Sequence, residues 1–328
     1  MDKLKITIFA DPVCTWCWGT APIARAIEYR YGDKVSINYV MTGMIDDIRT
    51  FSERRLQIGG DDIALSNRNM IKAWVDASKI HGMPVQEKGF SLFDEEHRST
   101  IPQCLAYIAA EQCVAQNVDA KRKAHHYLRV LQQATAAEVM HTCKISTLVD
   151  LAATVGIEHE AMLRAIGSEK TRETFEKGRR LAEHYGVKKT PTFLLEYRQK
   201  ELIVEGYVSF ESLQENITHI TSGNILPGCG ENNNVEYLKP KQENVARYLE
   251  CYGSAYPVDI AVAFGLERHC GHTALNIESY EHLPNIIERL LIDEKIAMTP
   301  LANSFKLYPL KEGRTATQYR EKEFAGTM

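Results

Sequence analysis

The chain has 328 residues, of which 44% are hydrophobic and 25% charged, and a formal net charge of −4. This length allows about two domains of roughly 100–200 residues, and the composition is that of an ordinary globular protein. The mild acidity gives no global reason to expect nucleic acid or anionic membranes as partners, and no apolar run reaches the ~18 residues a membrane span needs.

The N-terminus lacks a signal-peptide pattern: after two lysines the apolar run stops at Asp11, short of the usual ~7-residue hydrophobic region. The expected location is therefore cytoplasmic, where thiols stay reduced. Residues 4–10, "LKITIFA", alternate and then become continuously apolar, which predicts a buried strand. "ADPVCTWCWG", residues 10–19, follows at once. Residues 20–31 carry Ile23, Ile27 and Tyr31 at four-residue spacing, a helix that Gly32 stops. "KVSINYVM", 34–41, alternates as a second strand. From about 60 to 167 the pattern is helical nearly throughout, an insertion within the first domain. An amphipathic helix over 169–187, a strand at 190–197 entered through Thr190-Pro191, a further strand and a helix from Ser209 to Gly223 complete that domain. The Asn/Gly/Pro-rich stretch 224–240 reads as a linker. Residues 241–310 then give helix, turn, helix, helix and two short strands, the order of a winged helix-turn-helix, and 311–328 is a polar tail.

Cys14 and Cys17 allow three readings: a redox pair, half of a zinc site, or two buried thiols. A zinc site needs two more ligands, and the only other dense cluster, His269, Cys270 and His272, falls in the far C-terminal region. The position between a strand and a helix favours redox chemistry. A helix N-terminus stabilises a thiolate, so the first cysteine serves as nucleophile and the second, one turn in, resolves the mixed disulfide. No metal is expected.

The order strand, "CTWC" helix, strand, helical insertion, helix, "TPT" strand, strand, helix resembles the DsbA-like family, which has the thioredoxin fold with a helical insertion. "DPVCTWCWG" is most similar to that family's cytoplasmic dithiol-disulfide isomerases. The resemblance covers about residues 1–222 and implies that Cys14 attacks, Cys17 resolves, Pro191 is the cis-proline beside the disulfide, and the Thr190 backbone pairs with a bound peptide. It departs where strong oxidants carry His inside the CxxC: here Thr15-Trp16 supply no charge, the thiolate rests mainly on the helix dipole, and a milder, less oxidising pair is expected. Trp16 and Trp18 are candidates for an apolar lip around substrate, with plain packing the alternative for Trp18. Related glutathione-using branches of the fold, the kappa-class transferases and hydroxychromene carboxylate isomerases, keep Ser where Cys14 stands.

Asp11 is a candidate for proton transfer to Cys17 or a cap for the next turn. Lys188 and Lys189 flank the proline loop and read as solvated charges. His97, His125 and His126 read as structural. Between Lys239 and Leu310 seven lysines and arginines face nine acidic residues; this argues against nucleic acid and for a protein-contact or dimerisation module, a homodimer included. The leading expectation is a thiol-disulfide oxidoreductase or isomerase acting on protein, peptide or small thiol and disulfide substrates. It needs no cofactor beyond its own Cys14–Cys17 disulfide, with glutathione an open co-substrate. Two alternatives stand beside it: a redox-sensing regulator or adaptor read out through the C-terminal domain, and a glutathione-linked isomerase or transferase.

Overall fold

A computed structural model describes residues 2–114, 118–228 and 235–310; the polar tail expected at 311–328 lies outside the described residues. Strand β1 (Leu4–Ala10) has all but one side chain buried, which explains its nearly unbroken apolar sequence. Helix α1 (Thr15–Tyr31) follows after four residues and leads to β2 (Val35–Met41). β2 pairs with β1 in parallel, so the crossover is a βαβ unit with α1 as its helix. After the insertion, α7 (Glu169–His184) returns the chain to β3 (Thr192–Tyr197), antiparallel to β1. β4 (Lys200–Glu205) and α8 (Phe210–Thr221) close the domain, and the sheet order is β2-β1-β3-β4. This is the expected thioredoxin-like α/β fold.

The insertion holds α2 (Ile63–His81), α3 (Ile101–Cys113), α4 (Val118–Ala136), α5 (Ile145–Thr154) and α6 (His159–Ile166). It is less helical than its sequence suggests. Residues 82–100 form no helix. Gly82 ends α2 in the left-handed conformation with φ 78°, and Pro84 denies a donor to any continuation. Side-chain bonds then hold the segment: the Asn67 carboxamide accepts from the Leu92 and Phe93 N–H groups and donates to the Phe93 carbonyl.

The C-terminal region contains α9 (Gln242–Tyr252), α10 (Pro257–Phe264), α11 (Leu283–Ile292) and a hairpin of β5 (Ile296–Leu301) with β6 (Ser304–Pro309). A bridge between Ala255 and Leu307 ties the α9–α10 turn to the hairpin. α10 packs on α1, and the buried cluster runs from β1 and α1 into α9, α10 and α11 without a break. No helix among the described residues is long and apolar enough to cross a membrane.

Candidate active site

Because β1 ends at Ala10 and α1 starts at Thr15, the intervening turn sets both cysteines against the helix N-terminus. Asp11 builds that turn. Its carboxylate accepts from the Val13 N–H at 2.8 Å and its carbonyl from the Cys14 N–H at 3.1 Å. Cys14 is the N-cap residue of α1, with extended φ −75° and ψ 121°. Its carbonyl accepts from Trp18 N–H, and Cys17 lies within that first turn. Both are free thiols and both are buried, with 6% and 5% exposure.

The Thr190–Pro191 peptide bond is cis, and the Cys14 thiol donates to the Thr190 carbonyl at 3.5 Å. Two segments 176 residues apart thus meet at one sulfur. The Cys17 thiol, hydrogen-bonded to the Cys14 sulfur, draws the Cys14 pKa below that of a free thiol, outweighing burial and the opposing Asp11 charge. Burial, then the Cys14 sulfur, pushes Cys17 well up. The Cys17 thiol thus supports the thiolate, a contribution additional to the helix dipole to which the sequence mainly pointed.

Asp11 is fully buried, and burial raises its pKa against the bonds it accepts from the Val13 and Met44 N–H groups. Its Oδ2 also takes Thr100 Oγ1 at 2.9 Å and Cys104 Sγ at 3.7 Å. Thr15 is buried with Oγ1 3.3 Å from His81 Nε2. The Met83 N–H donates to His81 Nδ1, which fixes Nε2–H as the donor to Thr15. Burial holds the His81 pKa down to about 3, so the ring is neutral. Trp16 is half-buried, its ring 5.4 Å from Tyr207 and 5.9 Å from His81. On the other side Met44, 40% exposed, accepts the Thr190 hydroxyl. Trp16, two residues after Cys14, thus contacts Tyr207, and Thr190, whose carbonyl takes the Cys14 thiol, contacts Met44.

Trp18 does not belong to this rim. It is 1% exposed, donates to the Pro84 carbonyl and packs edge-on against Tyr256; two steps of about 100° along α1 turn it to the opposite face from Trp16. Lys189 pairs with Glu205 and both lysines of the proline loop are exposed. His125 pairs with Glu28, away from the cysteines in the helical layer. His269 and His272 stack edge-on beside exposed Cys270.

Sequence reasoning missed His81 and Thr100, which bond Thr15 and Asp11, and Met44 and Tyr207, which contact Thr190 and Trp16. None lies in a motif with the cysteines; each arrives through tertiary packing of the insertion, of the loop after β2 or of the loop after β4.

A family model described as Thioredoxin matches residues 8–215. Among curated proteins, the ClpXP adapter protein SpxH of Bacillus subtilis (strain 168) is 19% identical over 215 residues, covering 65% of this chain and 66% of that protein. The ClpXP adapter protein SpxH of Halalkalibacterium halodurans is 19% identical over 304 residues, covering 91% of this chain and 86% of that protein. Among solved structures, a candidate protein disulfide isomerase from Nitrosomonas europaea superposes with a TM-score of 0.56 at 17% identity, covering 68% of this chain and all of the other.

Proposed function

Since the chain belongs to the thioredoxin family, we propose that it is a thiol-disulfide oxidoreductase whose redox centre is Cys14 and Cys17. The observation that carries this reading is the split between two adjacent thiols: one is lowered by the other's hydrogen bond and faces a backbone carbonyl, and the other is held protonated by burial. The Cys14 thiolate attacks one sulfur of a substrate disulfide, forming a mixed disulfide and expelling the first substrate thiolate. Cys17 gives up its proton and attacks Cys14, which expels the second substrate thiolate. The substrate gains two electrons, the pair becomes a disulfide, and an external dithiol or glutathione returns it to the reduced state. Release of the Thr190 carbonyl from the Cys14 thiol leaves that carbonyl for a substrate backbone N–H, with Trp16, Tyr207 and Met44 as apolar flanks.

Insulin reduction with dithiothreitol as donor tests this. Wild type should accelerate precipitation, and Cys14→Ser should return the rate to that of the thiol alone. Wild type without activity would overturn the reading.

A second reading is favoured by the match to one adapter protein over 91% of this chain: an adaptor whose surface contacts a protein partner. Under it the insulin assay is silent, while a reduced and an oxidised chain capture a partner protein to different extents.

A further inference from the structure

Away from the cysteine pair, three side chains from two loops converge. Asp94 and His97 lie in the irregular segment before α3, and His141 lies in the loop between α4 and α5. Their donor atoms all fall within 4.8 Å of one another. His97 Nδ1 is 3.1 Å from Asp94 Oδ2, and His141 Nε2 is 3.0 Å from the same oxygen. We propose that Asp94, His97 and His141 form a divalent-cation site of the zinc class, with Asp94 Oδ2, His97 Nδ1 and His141 Nε2 as ligands and water completing the shell.

Three observations support it. The first is spacing. Zinc bonds of about 2.0–2.1 Å in a tetrahedron set ligand atoms about 3.3–3.4 Å apart, and both edges on Asp94 Oδ2 come within a few tenths of an ångström of that. The second is direction. His141 Nε2 stands 3.0 Å from a carboxylate oxygen, yet neither ring nitrogen of His141 makes a hydrogen bond, although both are shielded from solvent. His97 Nδ1 meanwhile straddles the two carboxylate oxygens, at 2.9 and 3.1 Å. A His141 ring that approaches the carboxylate without aligning an N–H group on it, beside a His97 ring shared between both oxygens, suits three ligands directed at a common point. The third is the fixing of the carboxylate. Its other oxygen, Oδ1, accepts from the Glu96 and His97 N–H groups at 2.8 and 2.7 Å, the outer-shell anchoring that orients a metal ligand. The cation would clamp the 82–100 segment to the α4–α5 loop, six residues before the threonine that donates to Asp11.

The test uses the full-length chain with Cys14→Ser and Cys17→Ser, stripped by chelator and titrated with zinc alone by calorimetry, then with cobalt(II) as an optical probe. Stoichiometric zinc binding is expected, weakened at least about tenfold by His97→Ala or His141→Ala. The cobalt form should show visible d–d bands without a thiolate charge-transfer band. Asp94→Asn retains an oxygen for the turn's two N–H groups and removes the anionic ligand, so it gives the same loss without depending on a folded histidine variant. Absence of stoichiometric binding, a cobalt spectrum dominated by thiolate charge transfer, or affinity unchanged in Asp94→Asn would each overturn the proposal.

Discussion

At the scale of single residues, the chemistry turns on an asymmetry between two sulfurs one helical turn apart. Cys14 caps α1 with its carbonyl already in the first helical bond, so its sulfur sits where the helix dipole is positive. Cys17 lies deeper and donates to it. A hydrogen bond to the charged form lowers a pKa, and desolvation raises it; the first wins at Cys14 and the second at Cys17. Alkylation of Cys14 by iodoacetamide should therefore titrate with a midpoint below the free-thiol value of about 8.5. It should stay well above the ~3.5 reached by the most acidic thiols of this kind, since Thr15-Trp16 add no charge. Cys17→Ala removes the donor that matters most, so the midpoint should move upward and the fraction of thiolate at neutral pH should fall. A midpoint unchanged by Cys17→Ala, followed by mass spectrometry of the alkylated peptide across pH, contradicts this account and returns the burden to the helix dipole.

At the scale of elements, the redox turn is held by the close crossing of α1 and α2. Gly19 makes that crossing: a Cβ there would lie 2.6 Å from both Cβ and Cγ of His81. Gly19→Ala gains up to about 1 kcal/mol of helix propensity but forces His81 away from Thr15, and overpacking of this kind costs about 1–3 kcal/mol. The variant should be net destabilised in urea and should lose insulin-reducing activity in proportion to the displacement of Thr15. A Gly19→Ala protein as stable and active as wild type would show that the crossing is slack. Elements of this sort mark the limit of what the sequence discloses. The run from β1 through the CxxC to β2 is legible because the apolar period changes from two to nearly four within forty residues. The Thr190-Pro191 strand is legible because proline at a strand entrance is distinctive. Segment 82–100 is not, since it is fixed by Asn67 and by the Gln86 N–H bonded to the Ala136 carbonyl, which leave no period behind. His81 and Thr100, which support Thr15 and Asp11, are invisible for the same reason: their place at the site is a product of packing.

At the scale of the whole molecule, the C-terminal region is joined to the thioredoxin domain by charge as well as by apolar surface. Arg129 on α4 is buried and donates to the Asp259 carboxylate at the start of α10, which is wholly buried. Asp259 also accepts from the Tyr256 N–H at 2.7 Å. Arg25 on α1, also buried, donates to the Ser254 carbonyl at 2.8 Å. Two buried guanidiniums therefore meet at the junction of insertion, α1 and α10, Arg129 paired with the Asp259 carboxylate and Arg25 with a backbone carbonyl, packed against Trp18, Tyr252 and Tyr256. Removing one partner of a buried pair leaves a desolvated charge unmatched, at a cost of about 3–5 kcal/mol, whereas replacing both partners by apolar side chains is often close to neutral. Asp259→Ala should accordingly destabilise the full chain by about 3–5 kcal/mol in guanidinium unfolding. The double variant Arg129→Met with Asp259→Leu should recover much of that loss, though less than all of it, because Arg25 keeps its charge. Since Trp18 lies one residue beyond Cys17 and packs on Tyr256, the single variant should also lower insulin-reducing activity, although no residue it touches reacts. A single variant costing less than about 1 kcal/mol, the worth of an exposed ion pair, would mean that the C-terminal region rides on the redox domain without supporting it.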